Sequence, residues 1–179
     1  TVSQLLLHRS GIMDYEALIP IDRTAQGSDQ HVLNYVRQTD SLYFPAGSQF
    51  RYSNTGYCLL ALIVEKAAKE PFVAFVKKHL FLPNGIREGT VYTADADIPN
   101  RALGYHPKED TFLFADQSVT SATQGDGGVY LSALEYHQWA DFLLRKRFQQ
   151  ADIKDLLEKE RSVVKDGVSY NLGWFIYPF

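Results

Sequence analysis

A single cysteine, Cys58, is all the sequence offers for thiol chemistry, so no disulfide framework can form within the chain and the redox compartment stays open. On an apolar helix it reads as a small buried residue rather than a reactive thiol. Long hydrophobic runs are absent too: the longest, Tyr57 to Val64, falls far short of the ~20 residues that a membrane-spanning helix needs. Neither sign of charge dominates, with 18 basic and 21 acidic residues and a net charge of −3, which excludes a nucleic-acid or anionic-membrane footprint. His31, His79, His106 and His137 show no ligand spacing with cysteine or acidic partners, so a zinc site is not expected. Asp95-Ala96-Asp97 lacks the glycine and terminal glutamate of a calcium loop, and no phosphate-cradling glycine motif occurs. The sequence thus implies no metal and no cofactor. Internal repeats and low-complexity linkers are also lacking.

What is present is a globular composition. At 179 residues, 45% apolar and 13% aromatic, the chain can bury a substantial core. A first helix is expected from Val2 to His8, ending at Ser10-Gly11, and Ser28-Asp29 can cap a second that runs to Gln38 or Thr39. Tyr57, Leu60, Ala61, Val64 and Ala68 recur at helical spacing, and Pro71 fits the start of another helix that Asn84-Gly85 stops. Residues 87 to 124 read as loop with short extended pieces at 89–93, 101–105 and 111–114. Ser132-Ala133-Leu134-Glu135 is a capping box that opens a helix through about Phe148, with Tyr136, Trp139, Ala140, Leu143 and Leu144 as its inner face. A short helix is expected around Ile153 to Leu157, followed by a terminal hairpin. The fold class is α+β and helix-dominated: residues 1–160 form a mostly helical subdomain and residues 161–179 a β-hairpin.

The most informative stretch is Tyr52-Ser53-Asn54, set between the turn Phe44-Pro45-Ala46-Gly47 and the long apolar helix. Ser53 or Asn54 suits the N-cap, where a short polar side chain satisfies a backbone N–H. A phenol and a carboxamide are thereby fixed at a helix start, which is a good place for an acid–base group and a substrate hydrogen-bond partner. It is also an ordinary way to begin a helix.

Further landmarks surround this tripeptide in a fixed order. Leu5-Leu6-Leu7-His8-Arg9-Ser10-Gly11-Ile12 precedes it, and Phe81-Leu82-Pro83-Asn84-Gly85-Ile86, Gly125-Asp126-Gly127-Gly128-Val129-Tyr130 and Leu172-Gly173-Trp174 follow. The series resembles the serine β-lactamase and penicillin-binding-protein superfamily, closest to its class C β-lactamase-like branch, which includes esterases and D-amino-acid peptidases. The resemblance covers nearly the whole chain and implies the helical subdomain of that fold, with C-terminal strands leading to its α/β sheet. That family uses Ser-x-x-Lys for the nucleophile, Tyr-x-Asn, and a late Lys/His-x-Gly strand, of which only the middle element is found here at its expected place. The chain is therefore expected to be the middle fragment of a larger protein, an incomplete fold that is inactive alone. No signal peptide is visible, but the resemblance favours an exported bacterial protein.

Two literal matches are decoys. Ser162-Val163-Val164-Lys165 fits Ser-x-x-Lys and Lys165-Asp166-Gly167 fits Lys-x-Gly, yet both fall where alternating valines flank a turn dipeptide. A serine and lysine three apart on a strand face opposite ways, so the lysine cannot take the serine's proton.

By resemblance, Tyr52 is the general base or acid, Asn54 binds the substrate amide, and the Gly127-Gly128 loop lies close to the catalytic cleft. A free phenol has a pKa of about 10, too high for a base near neutrality, which is why the family sets lysines beside it. The expected partner is a small molecule or peptide: a β-lactam, a D-amino-acid peptide or an ester. The alternatives are a catalytically silent relative that binds a peptide or cell-wall-like ligand, and a complete structural or interaction module. A dimer through the apolar C-terminal strand is possible in each case. His8 and Ser10 also have plain structural readings, as a hydrogen-bonded helix-end histidine and a Ser-Gly turn.

Overall fold

In the computed structural model, residues 1–94, 96–145 and 159–178 are described, apart from the side chains of 144 and 145. Helix α1 spans Val2–Leu6 and is closed by a capping box between Thr1 and Gln4. Helix α2, Asp29–Val36, starts from Ser28, and α3, Asn54–Ala68, starts from Ser53. Both starts obey the same rule, in which a hydroxyl takes a backbone N–H that the first turn leaves unpaired. Of the two residues that could cap α3, Ser53 does so, its Oγ accepting the Gly56 N–H at 3.2 Å. Asn54 is the first residue inside the helix.

After Pro71 the backbone runs as α4, Phe72–Phe75, then a π-helical stretch Val76–Phe81 and a 3-10 turn Leu82–Asn84. Gly85, at φ +78°, stops it. Val76 and Phe81 meet Ile86 and Val91 in one buried cluster, and Trp139 of α5, Ala133–Arg145, packs against it. Tyr136 does not join this inner face. It is 64% exposed and, on the same side as Trp139, lines the open cavity beside the cluster instead. The expected end of α5 near Phe148, and the helix expected at Ile153 to Leu157, lie outside the described residues.

Four short strands lie between these helices. β1, Thr90–Val91, pairs antiparallel with β4, Val129–Tyr130. β2, Tyr105–Lys108, pairs with β3, Thr111–Phe114, and every residue of that hairpin is exposed. The extended piece expected at 101–105 therefore starts later, since Arg101 and the Gly104 N–H are both taken by Asp116. At the C-terminal end, β5, Ser162–Lys165, β6, Val168–Asn171, and β7, Trp174–Ile176, form a sheet in the order β5-β6-β7. Asp166 and Gly167 join β5 to β6 with φ of +53° and +79°, the two left-handed residues that a type I′ hairpin turn requires. The Ser162 hydroxyl is buried and donates to the Leu7 carbonyl at 2.7 Å, while Lys165 is exposed. Ser162 is a packing hydroxyl, not a nucleophile. That bond also lays the sheet against the end of α1. No helix among the described residues is long and apolar enough to cross a membrane.

Candidate active site

Tyr52 sits between the turn after α1 and β7, while the 3-10 turn Tyr15–Ala17 reaches the neighbouring Asn54. Its ring lies 4.4 Å from the His8 ring and stacks on Phe175 at 6.4 Å and 17°. The phenol is 51% exposed, and its hydroxyl has no hydrogen-bond partner among the described residues. A large aromatic thus presents a free hydroxyl from a firmly packed ring.

His8 lies beneath it, 1% exposed and at φ +53°. Its Nδ1 accepts the Ser53 N–H at 3.1 Å. The ring is also enclosed by Tyr57 at 4.9 Å and Tyr170 at 4.5 Å. Burial among these rings pushes its pKa down to about 4, so the imidazole is neutral at physiological pH. The Tyr57 hydroxyl donates to the Leu6 carbonyl at 3.1 Å and shares a 2.8 Å bond with the Tyr170 hydroxyl. Burial pushes both phenols up, so they serve as neutral struts.

The acidic edge of the site comes from residues 14–16. The buried Tyr15 donates its N–H to Thr55 Oγ1 at 2.8 Å, and Thr55 donates to the Met13 carbonyl at 3.0 Å. Those two bonds hold the segment against α3 and bring two carboxylates to the tripeptide. Glu16 accepts from Asn54 Nδ2 at 2.7 Å, while Asp14 pairs with Arg51, whose guanidinium also lies 4.0 Å over the Tyr43 ring. Asp14 is thereby neutralised, whereas Glu16 is exposed and has no ion-pair partner among the described residues.

Gly127 and Gly128 lie elsewhere, on the loop whose Gly125 packs against α3. Asp29 accepts the Gln124 and Gly125 N–H groups, and Asp126 accepts from the Tyr15 hydroxyl at 3.0 Å. Gly125 passes so close to α3 that a Cβ there would lie 2.1 Å from the Tyr57 carbonyl oxygen, so only glycine fits. Gly127 lines a cavity of about 710 Å3 with Phe72, Val76, Leu80 and Trp139, and neither Tyr52 nor Asn54 reaches it. The structure thus joins Tyr52 with Asn54 but sets the glycine loop on a different opening.

Sequence reasoning missed a cluster on this loop, in which Asp29, Cys58 and Asp126 place one potential ligand atom each within 4.8 Å of one another. Its members stand 29 and 68 positions apart in the chain, so no local spacing could reveal it. A metal would need the thiolate of Cys58, whose thiol burial pushes well up, and both oxygens of Asp29 already accept backbone N–H groups. The cluster fits a buried polar tie between loop and helices better than a metal centre. Glu16 and Phe175, which touch Asn54 and Tyr52, were also missed, as were Asp14 on Arg51 and Tyr170 on His8, since all four arrive only through the fold.

Comparison with known proteins supplies the context for this geometry. A penicillin-binding protein of Bacillus subtilis (strain 168) is 28% identical over 192 residues, which cover 98% of this chain but only 43% of that relative. The crystal structure of a penicillin binding protein from Bacillus halodurans superposes with a TM-score of 0.79 at 25% identity, covering 97% of this chain and 55% of the other. D-amino acid amidase from Ochrobactrum anthropi SV3, solved with L-phenylalanine amide, gives a TM-score of 0.77 at 19% identity over 99% of this chain and 53% of its own, a likeness of fold alone. The chain therefore spans about half the length of these proteins. The Beta-lactamase family model matches residues 1–179, and the chain belongs to that family, among the homologues of penicillin-binding proteins.

Proposed function

We propose that this chain carries the acid–base and substrate-binding edge of a serine hydrolase that transfers acyl groups from a β-lactam, a D-amino-acid peptide or amide, or an ester. The observation that carries the reading is Tyr52: a half-exposed phenol with an uncommitted hydroxyl, at the start of α3 and beside Asn54. In this role Tyr52 relays the proton between the nucleophile and the leaving group, and Asn54 binds the substrate amide. The nucleophilic serine and its lysine come from the rest of the protein, so the 179-residue chain alone is inactive. Residues 1–160 act as the helical subdomain, residues 161–179 lead into the α/β sheet, and no cofactor takes part. Only the family resemblance supports a place for the Gly127-Gly128 loop beside the cleft of the whole protein, since Gly127 here opens on the cavity beside Trp139. Similarity to bacterial penicillin-binding proteins supports export, and the exposed apolar side chains of β7 support a dimer.

Glu16 narrows the substrate class. An unpaired carboxylate touching Asn54 favours an acyl donor with a nearby ammonium, as in a free D-amino-acid amide, over a neutral ester.

The test is Tyr52→Phe in the full-length protein, with kcat/KM measured on a chromogenic β-lactam and a p-nitrophenyl ester beside the melting temperature. A drop of roughly a hundredfold with little change in melting is expected, the usual scale for a general acid–base group. An unchanged rate would leave Tyr52 as a packed ring, whereas no turnover by the unaltered full-length protein would favour a silent, ligand-binding relative.

A further inference from the structure

We propose that His8 is a positioning residue for Tyr52, holding the peptide N–H groups on both sides of it while its ring sets the plane of the phenol. The inference rests on the reading of Tyr52 as the acid–base group. Its geometry has three parts. The His8 carbonyl accepts the Arg51 N–H at 2.9 Å, and His8 Nδ1 accepts the Ser53 N–H at 3.1 Å. Tyr52 is the residue between those two donors. The imidazole ring then lies against the phenol at 4.4 Å and 43°.

Histidine is specific to this task. At φ +53° the backbone is left-handed, a region uncommon outside glycine in which histidine, with asparagine and aspartate, is enriched. A structure keeps such a residue where its geometry is used. Phenylalanine would fill the same space among Phe50, Tyr57 and Tyr170, but it has no acceptor for the Ser53 N–H. Because Nδ1 accepts, the single proton of the neutral ring is on Nε2. Nε2 is buried and has no hydrogen-bond partner among the described residues, and the ring that carries it packs against Phe50, Tyr52, Tyr57 and Tyr170. The imidazole thus commits its one acceptor to the buried N–H of Ser53, directly after the half-exposed Tyr52. A shift of about 1 Å in a catalytic group can cost on the order of a hundredfold in rate, so a clamp on both flanks of Tyr52 has a kinetic consequence.

The experiment compares His8→Phe, His8→Asn, Tyr52→Phe and the His8→Phe/Tyr52→Phe double variant in the full-length protein, with kcat and KM for a p-nitrophenyl ester and a melting temperature for each. His8→Phe is expected to lower kcat about tenfold or more with KM within about twofold. His8→Asn, which tolerates the left-handed backbone and offers a carbonyl to Ser53, recovers much of kcat while still melting early. The double variant is expected to be no slower than Tyr52→Phe alone, because His8 acts through Tyr52. A purely structural His8 would lower the melting temperature of both single variants and leave kcat per folded molecule intact, which overturns the proposal. Additive losses in the double variant overturn it as well. A full rate in Tyr52→Phe removes the reading of Tyr52, and the proposal with it; a slow Tyr52→Phe beside a fast His8→Phe removes the proposal alone. Should His8→Phe fail to fold, 15N NMR of the unaltered protein decides: a proton on His8 Nδ1 refutes the clamp, and an Nε2–H tautomer with a protected Ser53 amide supports it.

Discussion

The Ser53 hydroxyl closes the first turn of α3 by accepting the Gly56 N–H, which leaves the Asn54 carboxamide free of helix duty. Ser53→Ala should therefore cost about 1 kcal/mol of stability, whereas Asn54→Ala should leave the melting curve nearly unmoved and slow turnover on amide substrates; thermal melts and kcat/KM on the two variants check this. Glu16, which accepts from Asn54, sets a charge rather than a cap. Glu16→Gln keeps the hydrogen bond and removes the charge, so KM should rise severalfold for an amide with a free α-ammonium and stay level for a neutral ester, with the difference shrinking as salt is added. At this scale the sequence was half transparent. Tyr52 and Asn54 are neighbours in the chain, and their placement follows from one turn and one cap. Asp14 and Glu16 meet Arg51 and Asn54 across separations of 37 and 38 residues, distances at which spacing says nothing. His8 showed its landmark but not its task, because a clamp on Tyr52 requires the left-handed turn that only the folded backbone displays.

Helix starts were the most legible elements, and Ser132–Glu135 shows why. Its capping box is complete in four consecutive residues: Ser132 Oγ accepts the Glu135 N–H at 3.2 Å, and the Glu135 carboxylate reaches back to Ser132 at 3.4 Å. What the sequence does not show is that the same carboxylate also accepts the N–H groups of Arg87, Glu88 and Gly89. Burial pushes the Glu135 pKa up, but the N–H donors of Glu88, Ser132, Gly89 and Arg87 outweigh it and hold it below the usual value. The sign follows: a carboxyl whose folded pKa is depressed gives stability that is present above its unfolded pKa and lost as pH falls through the folded one. Glu135→Gln, which cannot keep four charge-assisted bonds, should cost about 2 kcal/mol near neutrality and flatten the acid limb of the stability–pH curve below about pH 4.5, measured by urea melts across pH. Short strands were harder to place. β2 begins at Tyr105 rather than Arg101 because Asp116, at a separation of 15 residues, takes the Arg101 side chain out of any strand.

At the scale of the whole molecule, the family was legible from five ordered landmarks, while the meeting of α1, α3 and β6–β7 around Tyr52 was not. A row of apolar residues such as Leu172 to Phe175 indicates that a strand wants a partner, but not that Tyr170 will close over His8. The hairpin β2–β3 has another consequence. All of its residues are exposed, with Phe112 and Phe114 at 71% and 66%, so beyond its ladder bonds it rests on the Tyr105–Phe114 ring contact and the Arg101–Asp116 pair at its base. Opening such a segment costs little of the global stability, and a protease reads the open form. Chymotrypsin at low dose should thus nick the native chain first after Phe112 or Phe114, as mass spectrometry of the earliest fragments can show. The two pieces should stay together, since β1 pairs with β4 and α1 carries the Ser162 bond across the cut. A natural seam at this hairpin makes it the place to admit a tag or to split the chain into complementing halves.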